Sequence, residues 1–310
     1  MNGPLMPANS APYASFEERQ VSIARVAKWI PRDVVVVDPL LAEVPLLDAE
    51  VADLQRLAIG FITHSLGISA ETDPAEVLVR LDGQPFQAAR KAHQWLIPLE
   101  RSICGMLRAM QVDRSALALE YPINVRVVHG TPFPDYDKRI YPTTSVHTDI
   151  WAGEPADTLQ ALIPLMGNVQ ENFCQWYEAD RERFDICLSN SADYRSANEK
   201  LGDVRAISHT FDIGKLYFFD GALPHQTIKI GKGIRISLDF RLRRLFPYAD
   251  PNWMQRMRRD KGAYDRYYLL PPHPYPFKTF AEKLDHEIEV LEALGFSAFA
   301  GLRREEYDDV

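Results

Sequence analysis

Cysteine is scarce in this chain. Cys104, Cys174 and Cys187 are the three in 310 residues. They are far apart, show no paired spacing and leave an odd count, which excludes a disulfide framework and fits a reducing cytoplasm. Positive charge is in deficit as well. Thirty-five Lys and Arg against 43 Asp and Glu give a net charge of -8 and a pI near 5.5. Without a basic field to hold phosphates, nucleic acid and anionic membrane are excluded as partners, and a small-molecule substrate is expected. No apolar run is long enough to cross a bilayer. The N-terminus is polar and Pro-rich, with no basic stretch leading into an apolar one, so no secretory leader is expected. Internal repeats and low-complexity tracts are missing too.

What is present describes a globular protein: 46% hydrophobic residues, 25% charged residues and 22 prolines. Residues 1–15 read as a mobile arm and 16–310 as one domain. Residues 16–116 are expected to form helical support. A short helix runs from Phe16 to Trp29, and Val34-Val35-Val36-Val37 reads as a buried strand. Asp48 is placed as an N-cap for a helix through Val51, Leu54, Leu57, Ala58 and Phe61. Asp73-Pro74 starts another helix. Apolar residues from Phe86 to Met110 recur at three and four, predicting one long helix bent at Pro98. His64 and His93 lie in these stretches and read as structural. Residues 246–310 form a C-terminal extension with a helix over Phe280–Leu294, capped by Gly295, that packs back or mediates a homodimer.

From Leu117 to residue 245 the period changes to two, the mark of a β core. Asn124 and Arg126 share one face of a strand, and an inward Arg126 either meets a ligand or pairs with an acidic neighbour. Leu159–Leu165 is a core strand in which Gln160 or Ala161 faces inward according to register. Along Asn172–Tyr177 two registers stay open, one grouping Asn172, Cys174 and Trp176. Tyr136 lies on a Pro-rich loop, and Ala179–Lys200 reads as an insertion over the mouth of the core. Val204–Phe211, carrying His209, reads as a further strand.

The chemistry is concentrated around His147-Thr148-Asp149. If the preceding residues are extended, His147 and Asp149 lie two apart on a strand and leave from one face. The tripeptide alone is a common match; the sequel makes it a site. Lys215–Asp220 reads as a strand, Gly221–Pro224 as a turn and His225–Ile228 as the next strand. Ten residues beyond His225 stands Arg235, on a strand where Arg235, Ser237 and Asp239 alternate with Ile234, Ile236, Leu238 and Phe240. Two histidines and one carboxylate on one face of an ion, with the remaining positions open, form the non-haem Fe(II) arrangement. A guanidinium offers a dicarboxylate two parallel charge-assisted hydrogen bonds.

His-x-Asp, a distal His, an Arg ten residues on and a Ser two further, over Arg126–Arg241, resemble the Fe(II)/2-oxoglutarate-dependent dioxygenase superfamily. Within it, the phytanoyl-CoA-hydroxylase-like group or related bacterial small-molecule oxygenases are the nearest in character. The resemblance implies an α+β chain with a mainly β core, a double-stranded β-helix (jelly roll, cupin-like) braced by N-terminal and C-terminal helices. It implies Fe(II) on His147, Asp149 and His225, and 2-oxoglutarate on Arg235 with help from Ser237. Arg126, Gln160 and Thr227 are further cosubstrate candidates. Trp151, Glu154, Tyr136, Trp176 and Arg241 are candidates for the substrate wall. The implied activity uses O2 to hydroxylate an unactivated C–H of a small metabolite, with succinate and CO2 as coproducts. Desaturation, epoxidation or cyclisation are alternative outcomes, and halogenation is disfavoured because Asp149 occupies the halide's position. Two other classes stay open: a metal-binding cupin-type barrel acting as isomerase or sensor, and an interaction protein with structural histidines. Arg235 speaks against both.

Overall fold

The computed structural model describes residues 15–82, 86, 88, 95–112, 116–120, 123–130, 142–154, 158–189, 191–244 and 267–269. Its frame is an antiparallel sheet of eight strands in the order β1-β2-β7-β5-β9-β3-β10, with β4 also on β9, and a second sheet of β6 and β8. The strands are β1 (Val35–Asp38), β2 (Leu41–Pro45), β3 (Ala116–Glu120), β4 (Asn124–His129), β5 (Thr158–Gly167), β6 (Asn172–Trp176), β7 (Lys215–Asp220), β8 (His225–Lys229), β9 (Ile234–Arg244) and β10 (Tyr267–Leu269). The helices are α1 (Phe16–Trp29), α2 (Asp48–Leu66), α3 (Pro74–Leu81), α4 (Leu96–Ala109), α5 (Phe184–Cys187) and α6 (Tyr194–Leu201). The expected α+β architecture with a β core is therefore present, as two facing antiparallel sheets. No helix among the described residues is long and apolar enough to cross a membrane.

The two-residue period of β9 divides the interior. Ile234, Ile236, Leu238, Phe240 and Leu242 join Leu159, Ala161 and Ile163 of β5 in a core covered by apolar residues of α1, α2, α3 and α4. On the opposite face of the large sheet, Leu162, Tyr217 and Phe219 meet Cys174 and Trp176 of the small sheet in a second core. The polar residues Arg235, Asp239 and Arg241 therefore look into the space between the sheets, where they line one cavity with residues of β8. Burying apolar surface on both faces of β5, β7 and β9 holds these strands in register, because a one-residue slip would turn every side chain to the wrong core.

Several local expectations are corrected. Val35 and Val36 belong to the edge strand and are 51% and 48% exposed, so the β-branched run makes a strand but not a buried one. Asp48 is the first residue of α2, not its cap; the Leu47 N–H donates to the Glu50 carboxylate instead. Asp73 does cap α3, accepting the Ala75 N–H at 2.7 Å. Pro98 stands in the first turn of α4, where its missing N–H costs no hydrogen bond, so it opens that helix without bending it. Phe86 and Ala88, at the start of the long helix expected from Phe86, are not helical, and α4 begins only at Leu96; residues 87 and 89–94 and the helix expected over Phe280–Leu294 lie outside the described residues. Over Val204–Phe211 the only pairing is an isolated bridge of Ala206 with Tyr177, so no strand forms there.

Candidate metal centre

His147 and His225 face one another in an isolated antiparallel bridge, exchanging N–H···O bonds of 2.9 and 2.8 Å. A bridged pair sends both side chains to the same side of the ladder, so two imidazoles 78 positions apart in sequence meet. Beyond His147 the expected strand is not made. Thr148 is extended, and the chain then enters a 3-10 turn at Asp149–Ala152, which ends at Gly153 with φ 92°, a left-handed position suited to glycine. One extended residue is enough to put Asp149 on the side of His147, and the Thr148 hydroxyl, donating to Cys187 O at 3.0 Å, pins the link.

The ligand atoms lie within 4.8 Å of one another and all three residues are buried. His147 Nε2 and His225 Nε2 stand 3.8 and 3.6 Å from Asp149 Oδ1. An ion with ligand bonds of about 2.1 Å spans such separations. The ring nitrogens are sorted by their partners: His147 Nδ1 donates to Ser145 O at 2.8 Å and His225 Nδ1 to Leu223 O at 2.9 Å. A carbonyl can only accept, so each Nδ1 carries a proton, and each Nε2 is the nitrogen turned toward Asp149. Burial, with His225 beside it, lowers the His147 pKa to about 3, which keeps that imidazole neutral. Burial works to raise the Asp149 carboxyl, but Arg241 and the two histidines hold it well below the usual range. A neutral imidazole at His147 and an ionised carboxylate at Asp149 are the states in which these two groups can hold a divalent ion.

Arg241 sets the orientation of that carboxylate. Its Nε and Nη2 donate to Asp149 Oδ2 at 3.3 and 3.1 Å, leaving Oδ1 toward the imidazoles. Its Nη1 donates to both oxygens of Glu120 at 3.0 Å, and Glu154 approaches to 3.7 Å. Burial works against the Arg241 charge, yet Asp149, Glu154 and Glu120 push its pKa up. Arg241 and Glu154, expected at the substrate wall, are thus joined around the metal carboxylate, where the fixed guanidinium fork suits the task.

The triad opens into a cavity that it lines together with Arg126, Thr143, Leu162 and Phe219. Arg235 lines it at 1% exposure, donating to Asn172 O at 3.1 Å with its guanidinium 5.2 Å over the Phe211 ring. Thr227 of β8 and Arg126 of β4 line it as well, Arg126 in an ion pair with Asp239. Ser237 is on the face of β9 that carries Arg235, and its buried Oγ has no hydrogen-bond partner among the described residues. Ser237 is not itself among the residues that line the cavity, so Arg235 is the donor on β9 that a carboxylate there would meet.

Other expected site residues are placed elsewhere. Gln160 is inward but off the cavity, with its amide nitrogen 3.4 Å from Thr158 Oγ1. Trp151 is core, its indole N–H bonded to Ile186 O at 2.8 Å. Trp176 shares the inward register of β6 with Asn172 and Cys174, the register left open above, but packs on Tyr217 and Phe219 behind the cavity wall. Both tryptophans are buried in the second core. Tyr136 lies outside the described residues. His209 is no ligand: its two ring nitrogens stand 3.1 and 3.0 Å from Ile207 O and Cys174 O. Glu120 and Tyr194 are additions. Burial, with Asp149 nearby, pushes the Tyr194 phenol well above its ordinary value. No spacing in the sequence announced either one.

No family model matches the chain, and no curated protein matches it. Among solved structures it is similar to an N-substituted L-amino acid dioxygenase from Burkholderia ambifaria AMMD, at 13% identity over 66% of this chain and 85% of that one, with TM-score 0.36. It is similar to the non-heme alpha ketoglutarate dependent epimerase SnoN from nogalamycin biosynthesis, at 15% identity over 71% and 82%, with TM-score 0.38. The corresponding values for EctD from S. alaskensis are 14%, 76%, 79% and 0.34. At these values the likeness adds nothing to what the geometry of the site carries by itself.

Proposed function

We propose that this chain is a non-haem Fe(II)- and 2-oxoglutarate-dependent oxygenase acting on a small metabolite. The observation that carries the reading is the sorted donor set: His147 Nε2, His225 Nε2 and Asp149 Oδ1 converge in the cavity that Arg235 also lines. Fe(II) would be held by His147, Asp149 and His225, and the remote carboxylate of 2-oxoglutarate by Arg235 and Ser237. When bound together, iron and 2-oxoglutarate supply the oxidation of an unactivated C–H by O2, with the oxo acid leaving as succinate and CO2. The protein's part is positioning. Arg241 keeps Asp149 from turning its second oxygen inward, the bridge of His147 with His225 fixes the spacing of the imidazoles, and the two cores keep water from the rear of the site. Thr227, across the cavity on β8, is a further candidate contact for the cosubstrate.

A barrel that only bound a metal would have no use for a buried guanidinium at the far end of the same cavity, which favours the oxygenase over the isomerase or sensor. Three free thiols support a reducing compartment, and hydroxylation in secondary or unusual-carbohydrate metabolism is the proposed setting. The test is anaerobic loading with Fe(II) and 2-oxoglutarate. A visible metal-to-cosubstrate band and succinate release on admitting oxygen are expected from the native protein. Asp149→Ala should show neither, and Arg235→Ala should need far more 2-oxoglutarate for the same band. A band that survives Asp149→Ala unchanged would overturn the assignment.

A further inference from the structure

The segment between β6 and β7 contains α5 and α6 and is fastened along the stretch that carries two of the three metal ligands. Four hydrogen bonds make the seam. The Thr148 hydroxyl donates to Cys187 O at 3.0 Å and the Trp151 indole to Ile186 O at 2.8 Å. The Ser191 N–H donates to Trp151 O at 3.0 Å, and the Asn198 amide to Val146 O at 2.5 Å. Helix α6 begins at a fixed point, since Asp193 accepts from the Ser196 N–H and hydroxyl at 2.8 and 2.9 Å. Its first residue is Tyr194.

The Tyr194 ring lies flat on the His147 imidazole, with centroids 4.4 Å apart and planes inclined by 18°. It is 4% exposed and lines the cavity. The His147 Nδ1 bond to Ser145 O fixes the tautomer, but a single hydrogen bond tolerates a wide range of ring tilts, and the imidazole torsion is itself broad. Tilting carries Nε2 away from Asp149 and His225. A ring stacked on one face blocks tilting in that direction, and the His225 ring, 4.3 Å away at 50°, limits it on another.

We infer that Tyr194 is a positioning residue of the metal site. Its ring holds the His147 imidazole in the plane that aims Nε2 at the ion, and α5 and α6 are the wall that brings it there. The inference rests on the metal-centre reading above and concerns the stack, not the phenol oxygen. It follows that removing the hydroxyl alone leaves metal binding in place, whereas removing the ring weakens it.

The test is anaerobic titration of the apoprotein with Co(II), followed by its visible absorption, with the thermal midpoint of each apoprotein measured alongside. Tyr194→Phe should bind Co(II) within about twofold of the native protein, and Tyr194→Leu should bind roughly 10- to 100-fold more weakly. Phe184→Leu, in the same wall but away from His147, is the control for general loosening and should keep native Co(II) affinity even where it lowers the midpoint. Should Tyr194→Leu not fold, Tyr194→Met takes its place with the same criterion. Native affinity in the ring-deleted variant overturns the inference while sparing the metal centre. Equal weakening in Phe184→Leu at an equal midpoint also overturns it. A native protein that takes up no Co(II) overturns the metal centre itself.

Discussion

Arg19 and Asp220 make the ion pair on which the rear of the site is built, and Arg19→Leu tests it. Their side chains are both 0% exposed, with Nη1 2.6 Å from Oδ1, and they join α1 to the end of β7 across 201 residues of chain. The same Asp220 oxygen accepts the Ala222 N–H at 2.8 Å, fixing the turn whose Leu223 carbonyl receives the His225 Nδ1 proton at 2.9 Å. Leucine fills much of the volume but takes away the guanidinium that faces a buried carboxylate. Breaking a buried pair from one side costs roughly 3–5 kcal/mol, a large share of the 5–15 kcal/mol that typically holds a domain folded. Arg19→Leu/Asp220→Asn should be the more stable of the two variants, because an uncharged Asn oxygen can still accept from Ala222. Urea denaturation gives both free energies, and the thermal midpoint should fall by roughly 2–4 °C per kcal/mol lost. A single variant losing under about 1 kcal/mol, or a double variant no better than the single, would refute the reasoning.

Three further outcomes follow from particular contacts. Gly167 has φ 87°, and a Cβ built there would stand 2.0 Å from Ile234 O, so Gly167→Ala should cost roughly 1–3 kcal/mol in urea; a loss near zero would show that β5 and β9 can part at that end. Burial pushes the thiols of Cys104, Cys174 and Cys187 up to about 12, so iodoacetamide at pH 8 should label the folded protein slowly and the urea-unfolded protein at all three sites. Burial works to raise the Glu50 carboxyl, but the paired Arg32 bonds of 2.7 and 2.6 Å and the Leu47 N–H outweigh it and lower its pKa. A pKa that is lower folded than unfolded gives stability in full above the unfolded value, 4.5, and loses it as pH falls through the folded one. Arg32→Gln should therefore flatten the decline in urea stability between about pH 5 and pH 3.

Much of the large sheet was legible in the chain because alternation is a local property. Arg235, Ser237 and Asp239 against Ile234, Ile236 and Leu238 require only that β9 be extended and buried on one side, and the turn before His225 is written in Gly221 and Pro224. The residue types of the metal set were legible for the same reason. Burial was not: Val35 and Val36 have strand chemistry, yet whether a strand is central or at the edge depends on what pairs beside it.

The amino-acid order by itself determined which side chains could bind a metal and a diacid and, on β9, which side chains share a face. Only the tertiary structure decided that His147 meets His225 through a single bridge, that Asp149 arrives on a 3-10 turn, and that Arg241 spends its charge on Asp149 and Glu120. It also sent Trp151 and Trp176 into the core and laid Tyr194 on His147. Those outcomes join residues from distant segments through irregular loops, where no period constrains direction; the partner that each side chain meets is fixed by the packing of the rest of the chain around it.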